Sequence, residues 1–161
     1  MHNKPPLHLG SEADTTQLAR AFARQLKMGD VLLLNGGLAM GKTCFVSAAA
    51  AELGAEGVSS PTYTIANIYP AKAFSLLHID AYRLKGEADF IDLGLENEME
   101  HGVAFIEWGA ALEGVFEHYV SLDFSPDPAR ETARFVAFSS FGARGGALLK
   151  LALQAYREAQ P

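Results

Sequence analysis

The stretch that decides the fold is Asp30-Val31-Leu32-Leu33-Leu34-Asn35-Gly36-Gly37-Leu38-Ala39-Met40-Gly41-Lys42-Thr43. Its first half is a run of consecutive apolar residues, too short for a helix and typical of a strand buried on both faces. Its second half, Gly36-x-x-x-x-Gly41-Lys42-Thr43, satisfies the phosphate-loop pattern. The pattern requires a helix to follow, and the Ala-rich stretch Cys44 to Leu53, closed by Gly54, reads as one. In such a loop glycines let backbone N–H groups curl around phosphate oxygens, and the helix N-terminus adds its positive dipole. Lys42 would bridge the β- and γ-phosphates, and Thr43 would offer its hydroxyl to Mg²⁺. By residue frequencies, with Gly at roughly 7%, a chain of this length meets the pattern by accident on the order of once in a couple of hundred.

Working outward, the organisation is α/β. Asp14 as N-cap, Leu18, Phe22 and Leu26 at four-residue spacing and a closing Gly29 predict a helix over 14–28. Thr62 to Tyr69 is β-branched or aromatic, Pro70-Ala71-Lys72 turns the chain, and Phe74 to Ile79 resumes an apolar strand, which predicts a hairpin. Gly86 to Gly94 reads as a short helix and loop, Val103 to Ile106 as a second core strand, and Gly109 to Phe116 as a weak helix. Tyr119 to Phe124 and Arg134 to Ser139 alternate around Ser125-Pro126-Asp127-Pro128 as another hairpin, and a helix closes from about Gly146 to Ala159. The expected fold is a single P-loop NTPase-like domain over 1–161, with a central mixed, mostly parallel sheet, flanking helices and added antiparallel hairpins.

Composition narrows the class of function. Across 161 residues, 49% are hydrophobic and 20% charged, as in ordinary globular proteins. Lys and Arg number 13 against 19 Asp and Glu, a net charge of −6, so the basic surplus that drives non-specific phosphate-backbone binding is missing. The single cysteine, Cys44, makes no internal disulfide, Met1 to Leu9 lacks the apolar core of a secretion signal, and apolar runs such as Val31 to Leu34 are far short of the roughly 20 residues that span a bilayer. A cytoplasmic protein with no membrane segment is expected.

A phosphate loop needs an acidic residue at the end of a neighbouring core strand, because Mg²⁺ takes oxygen ligands and the water around it must be oriented. Asp80, after Phe74 to Ile79, and Glu107, after Val103 to Ile106, are the two candidates. His78 reads as a hydrogen-bonded histidine rather than a ligand, and the remaining histidines lack metal-ligand spacing, so no zinc is assigned. Trp108 fits stacking on a base or partner and plain packing equally well. Ser60-Pro61-Thr62-Tyr63-Thr64 lies where phosphate-loop proteins place a segment responding to the γ-phosphate, or it is a hairpin entry. Cys44 packs as a small helix residue, although its place at a helix N-terminus could lower its pKa.

The loop, Ser60-Pro61-Thr62-Tyr63-Thr64, His78-x-Asp80-x-Tyr82-Arg83 and Ile106-Glu107-Trp108, in that order, resemble the TsaE (YjeE) family over nearly the whole chain. The resemblance implies a small ATPase needed for the threonylcarbamoyl modification of adenosine in tRNAs that read codons starting with A. It further implies binding to the TsaD–TsaB pair, which makes the modification and is reset by ATP hydrolysis, so that tRNA is met only indirectly. Carried over residue by residue, Gly36, Gly37, Leu38, Ala39, Met40 and Gly41 wrap the phosphates, with Cys44 completing the loop and Lys42 neutralising them. Thr43 and Glu107 serve Mg²⁺, Asp80 positions Mg²⁺ or the attacking water, and Trp108 lies beside the site. The family's adenine contacts fall on Thr15 and Arg134, with Arg130 as a rival. The family loop usually reads Gly-Asp-Leu-Gly-Ala-Gly-Lys-Thr-Thr, and this chain departs from it at Gly37, Ala39, Met40 and Cys44. Nucleotide binding through backbone amides, Lys42 and Thr43 is expected to survive, with weak turnover that an arginine supplied in trans could raise by about 10³–10⁵. Two other readings of the loop stay open, a small-molecule phosphotransferase and a nucleotide-dependent switch without meaningful hydrolysis.

Overall fold

In chain order the elements are β1 (Leu7–Leu9), α1 (Glu12–Ala23), β2 (Val31–Asn35), α2 (Lys42–Glu52), β3 (Ala66–Pro70), β4 (Ser75–Asp80), α3 (Glu87–Asp92), α4 (Glu96–Glu100), β5 (Gly102–Glu107), a 3₁₀ helix (Gly109–Val115), β6 (Tyr119–Asp127), β7 (Arg130–Phe141) and α5 (Gly142–Ala159). They come from a computed structural model, which describes residues 5–37, 40–55, 57–58 and 65–160. The predicted γ-phosphate-responsive segment, Ser60 to Thr64, and the loop residues Leu38 and Ala39 lie outside the described residues.

The strands form one seven-stranded sheet in the order β1-β7-β6-β2-β5-β4-β3. β2 pairs parallel with both β5 and β6, and β4 pairs parallel with β5. The two hairpins, β3–β4 and β6–β7, add the antiparallel pairs, and β1 joins β7 antiparallel at the edge. Leu32, Leu33 and Leu34 of β2 are fully buried, as a strand flanked by two parallel neighbours and covered on both faces demands.

Side chains alternate across these strands, and the alternation divides the interior in two. Leu32, Leu34, Leu76, Val103 and Phe105 pack with Leu18 and Phe22 of α1, Phe45 and Val46 of α2 and Leu148 of α5. Val31, Leu33, Leu77, Ile79, Ala104 and Ile106 face the other way, onto Phe90 of α3 and Leu112 of the 3₁₀ helix. Phe45 is the hub of the first cluster, its ring 5.9 Å from Phe22, 6.4 Å from Phe105 and 6.1 Å from Phe124.

Several boundaries differ from the sequence reading. The first helix starts at Glu12 and ends at Ala23, because Ser11 rather than Asp14 caps it: Asp14 N donates to Ser11 Oγ, and the Asp14 carboxylate instead accepts from Gly10 N. α2 begins at Lys42 rather than Cys44, and α5 at Gly142 rather than Gly146. The weak helix read over 109–116 is a 3₁₀ helix, Gly109–Val115, while β1 and α4 carried no signal long enough to read.

α5 is fastened to the start of β2 by charge. Arg144 Nε donates to Asp30 Oδ1 at 2.8 Å and its Nη2 to Asp30 Oδ2 at 2.7 Å and Gln25 O at 2.7 Å. Asp30 is 2% exposed, so removing its partner leaves a buried carboxylate with only the Lys27 amide to meet it. Arg144→Leu should therefore lower stability by about 2 kcal/mol in urea unfolding, within the range for hydrogen bonds to charged groups; an unchanged midpoint would show the pair to be ornamental.

Candidate active site

The site forms at the carboxyl ends of β2, β4 and β5, where parallel α/β sheets open a crevice. β2 is locked just before the loop begins. Asn35 Nδ2 donates to Ser121 Oγ at 3.0 Å and Asp123 Oδ1 at 2.9 Å, and its Oδ1 accepts from Ala110 N at 3.0 Å. Gly36 then turns with φ 138°, and a Cβ there would sit 2.7 Å from the Phe124 carbonyl oxygen, so both backbone conformation and space demand glycine. Gly41, at φ 98°, opens α2 with nothing within 4 Å of where a Cβ would stand. Unlike α1, α2 has no side-chain cap and no acidic residue in its first turn. The dipole at its start favours an anion.

Lys42 is the charged centre. It is 4% exposed, its Nζ donates to Gly36 O at 2.8 Å, and it lies 3.8 Å from the centroid of the Trp108 ring. Burial pushes its ammonium below the usual lysine value, while the Glu107 and Asp80 carboxylates pull it back up. Trp108 holds a left-handed conformation, φ 61° and ψ 37°, shared by no other non-glycine among the described residues. That conformation costs a non-glycine residue about 1–2 kcal/mol. It is fixed by Trp108 N donating to Leu34 O at 2.8 Å, and the Tyr82 ring packs 5.3 Å away.

Asp80 and Glu107 are direct register partners on β4 and β5, and Glu107 is also opposite Leu34 of β2. By alternation both carboxylates fall on the sheet face that α2 covers. Tyr82 N donates to Asp80 Oδ1 at 3.0 Å. Glu107 is 6% exposed and its Oε2 lies 2.5 Å from Nε2 of the fully buried His78. Sequence reasoning placed His78 as a hydrogen-bonded histidine but missed this partner: alternation puts His78 on the face of Asp80, and only the pairing of β4 with β5 brings Glu107 to it. Among the described residues no group of three or more His, Cys, Asp or Glu side chains could hold a metal ion by itself. Two carboxylates that act on the Lys42 charge, and an uncapped helix start that carries Thr43, nevertheless fit Mg²⁺, which is commonly held by one or two carboxylates together with substrate phosphates.

On the far side of Gly41 lies a cavity of about 230 Å³ lined by Glu12, Thr15, Gly41, Cys44, Glu131, Thr132 and Arg134. The structure thus gathers Thr15, Cys44 and Arg134 around one space, whereas Arg130 does not line it. Cys44 packs in the helix as read, and its thiol is not lowered: burial pushes it up, with the Thr16 hydrogen bond only partly opposing and Glu12 adding to the rise. Glu12, Glu131 and Thr132 had no motif to reveal them.

Fold and site together define an α/β domain of the phosphate-loop class. A family model described as "Threonylcarbamoyl adenosine biosynthesis protein TsaE" matches residues 9–134, and the chain belongs to the TsaE family. It is 38% identical over 126 residues to the tRNA threonylcarbamoyladenosine biosynthesis protein TsaE of Treponema pallidum, covering 75% of this chain and 93% of that one. It is 34% identical over 135 residues to the protein of the same name from Streptomyces coelicolor, covering 80% and 91%. The crystal structure of Bacillus subtilis YdiB superposes with a TM-score of 0.75 at 25% identity, covering 99% of each chain. No helix among the described residues is long and apolar enough to cross a membrane.

With its thiol raised, Cys44 should react with a disulfide reagent more slowly than a free cysteine at neutral pH, its rate still climbing above the ordinary thiol range of about pH 8.5. Added ADP should slow it further if the cavity takes the nucleoside. Rapid labelling at neutral pH, indifferent to ADP, would contradict both statements.

Proposed function

We propose that the chain binds ATP with Mg²⁺ and hydrolyses it slowly, as the accessory ATPase of the tRNA threonylcarbamoyladenosine pathway, acting on the TsaD–TsaB pair. The observation that carries this reading is the buried Lys42 ammonium, held at the mouth of an uncapped helix by a carbonyl and an aromatic ring, in the field of two carboxylates. A phosphate group is a stronger partner for that cation than a carbonyl oxygen. In the proposed complex the amides from Gly36 to Thr43 cradle the phosphates, and Lys42 leaves Gly36 O to neutralise them. Thr43, Asp80 and Glu107 would hold Mg²⁺, which supplies charge neutralisation at the β- and γ-oxygens. Asp80 or Glu107 orients the attacking water. Thr15 and Arg134, with Cys44, form the wall against which the base rests, and Trp108 encloses the site. A chain carrying −6 is a poor tRNA binder by itself, so contact with tRNA is assigned to the partners.

Inorganic phosphate released from ATP, followed for the chain alone and with the purified TsaD–TsaB pair, tests this reading. The expected result is slow release alone and a sharp rise with the pair. No response to the pair, or γ-phosphate appearing on a metabolite instead of water, would overturn it, the second result in favour of a phosphotransferase. Within the chain, Lys42→Ala should abolish productive nucleotide binding, whereas Glu107→Ala should bind nucleotide and fail to turn it over. Calorimetry with ADP and the phosphate assay separate the two, and parental turnover in either variant would refute the role given to that residue.

A further inference from the structure

We propose that His78 is a positioning residue: it fixes one oxygen of the Glu107 carboxylate so that the other faces the loop, and so acts on Mg²⁺ and turnover without touching either nucleotide or metal. This inference rests on the function proposed above. His78 is fully buried at the middle of β4, between Leu77 and Ile79, where an aliphatic side chain would satisfy the core at no polar cost. Its Nε2 meets Glu107 Oε2 at 2.5 Å. Its other ring nitrogen, Nδ1, is buried with no hydrogen-bond partner among the described residues. In the neutral tautomer with the proton on Nε2 the ring donates one bond, to Glu107, and leaves a lone pair unmet. A buried histidine kept at that expense, with its only polar contact directed at a strand-end carboxylate, has its explanation in the carboxylate.

The sheet makes the arrangement rigid. β4 and β5 are parallel neighbours with Asp80 opposite Glu107 and His78 opposite Phe105, so the imidazole reaches its partner along a shared face from two residues back. Slipping the register by one residue would turn His78 to the other side of the sheet. Glu107 has free rotations of its own, and without the imidazole its carboxylate is drawn to the Lys42 ammonium, whose charge it already feels. The hydrogen bond therefore keeps Glu107 from collapsing onto the lysine when phosphate is absent, and keeps its second oxygen in place when phosphate arrives. Residues that orient a metal's ligands in this manner typically change metal affinity or activity by about 10- to 100-fold when lost.

The test uses His78→Leu, which fills the space without a donor, and His78→Gln, whose side-chain amide places a donor near the Nε2 position. Mn²⁺ affinity of the ADP-loaded chain by electron paramagnetic resonance, ADP affinity without metal, and kcat and KM for ATP are measured. For His78→Leu the expected result is metal-free ADP affinity and KM close to the parent's, with Mn²⁺ affinity and kcat down about 10-fold or more. His78→Gln should recover most of that loss. In a Glu107→Ala background, His78→Leu should add nothing further, as for residues that act through one another. Parental Mn²⁺ affinity and kcat in His78→Leu would overturn the proposal. So would a loss in His78→Gln as large as in His78→Leu, or additive losses in the double variant. If His78→Leu fails to melt cooperatively, the comparison of His78→Gln with the parent decides, near-parental Mn²⁺ affinity supporting the role and a full loss ending it. A parent chain that binds neither ADP nor Mn²⁺ would remove the proposed function and this inference together; a parent that binds both, with indifferent His78 variants, removes the inference alone.

Discussion

The structure turns on one buried positive charge. An ammonium at 4% exposure is held only where its surroundings meet it, and Lys42 is met by the Gly36 carbonyl and the Trp108 ring, in the field of the Asp80 and Glu107 carboxylates. Each of those partners needs its own support. Gly36 must curl against the Phe124 backbone, which only glycine allows. Trp108 must adopt a left-handed conformation, which its bond to Leu34 O secures. The carboxylates must come from adjacent strands in register, which the parallel β4–β5 pair provides. The core explains why these supports stand still: β2 is buried on both faces, Asn35 ties its end to β6 and to the 3₁₀ helix, and Phe45 locks α2 beneath the loop.

The two faces of the sheet divide the labour. Alternation sends Leu34, His78, Asp80 and Glu107 to the face covered by α1, α2 and α5, where all the candidate chemistry lies. The opposite face, packed by α3 and the 3₁₀ helix, contributes apolar burial. Gly41 is the pivot of the first face: it opens α2 and also lines the cavity that holds Thr15, Cys44 and Arg134. The proposed phosphate and nucleoside sites would thus share a single residue.

Much of this was legible in the sequence for a physical reason. Val31 to Asn35 and Gly36 to Thr43 encode strand, loop and helix start through burial and backbone freedom, both local properties. The hairpins around Ala71 and Asp127 declared themselves through alternation and turn residues, and Asp80 and Glu107 through their places at strand ends. What escaped depends on tertiary contact. Ser11 displaced Asp14 as a cap because Asp14 was drawn to the Gly10 amide. β1 is three residues long and exists because β7 offers an edge. Cys44 lies near a helix N-terminus, yet burial pushes its thiol up, with Thr16 opposing and Glu12 adding to the rise. The bond between His78 and Glu107 spans two strands, so no spacing along the chain encodes it.

In the proposed complex, phosphate draws Lys42 away from the Gly36 carbonyl and the Trp108 ring. Trp108 is the only tryptophan of the chain, so its fluorescence titrated with ATP and Mg²⁺ reports on that cation directly. The account predicts a saturable change in the parent, and in Lys42→Met an altered starting intensity with no response. A parent spectrum that ignores ATP while calorimetry records binding would contradict it.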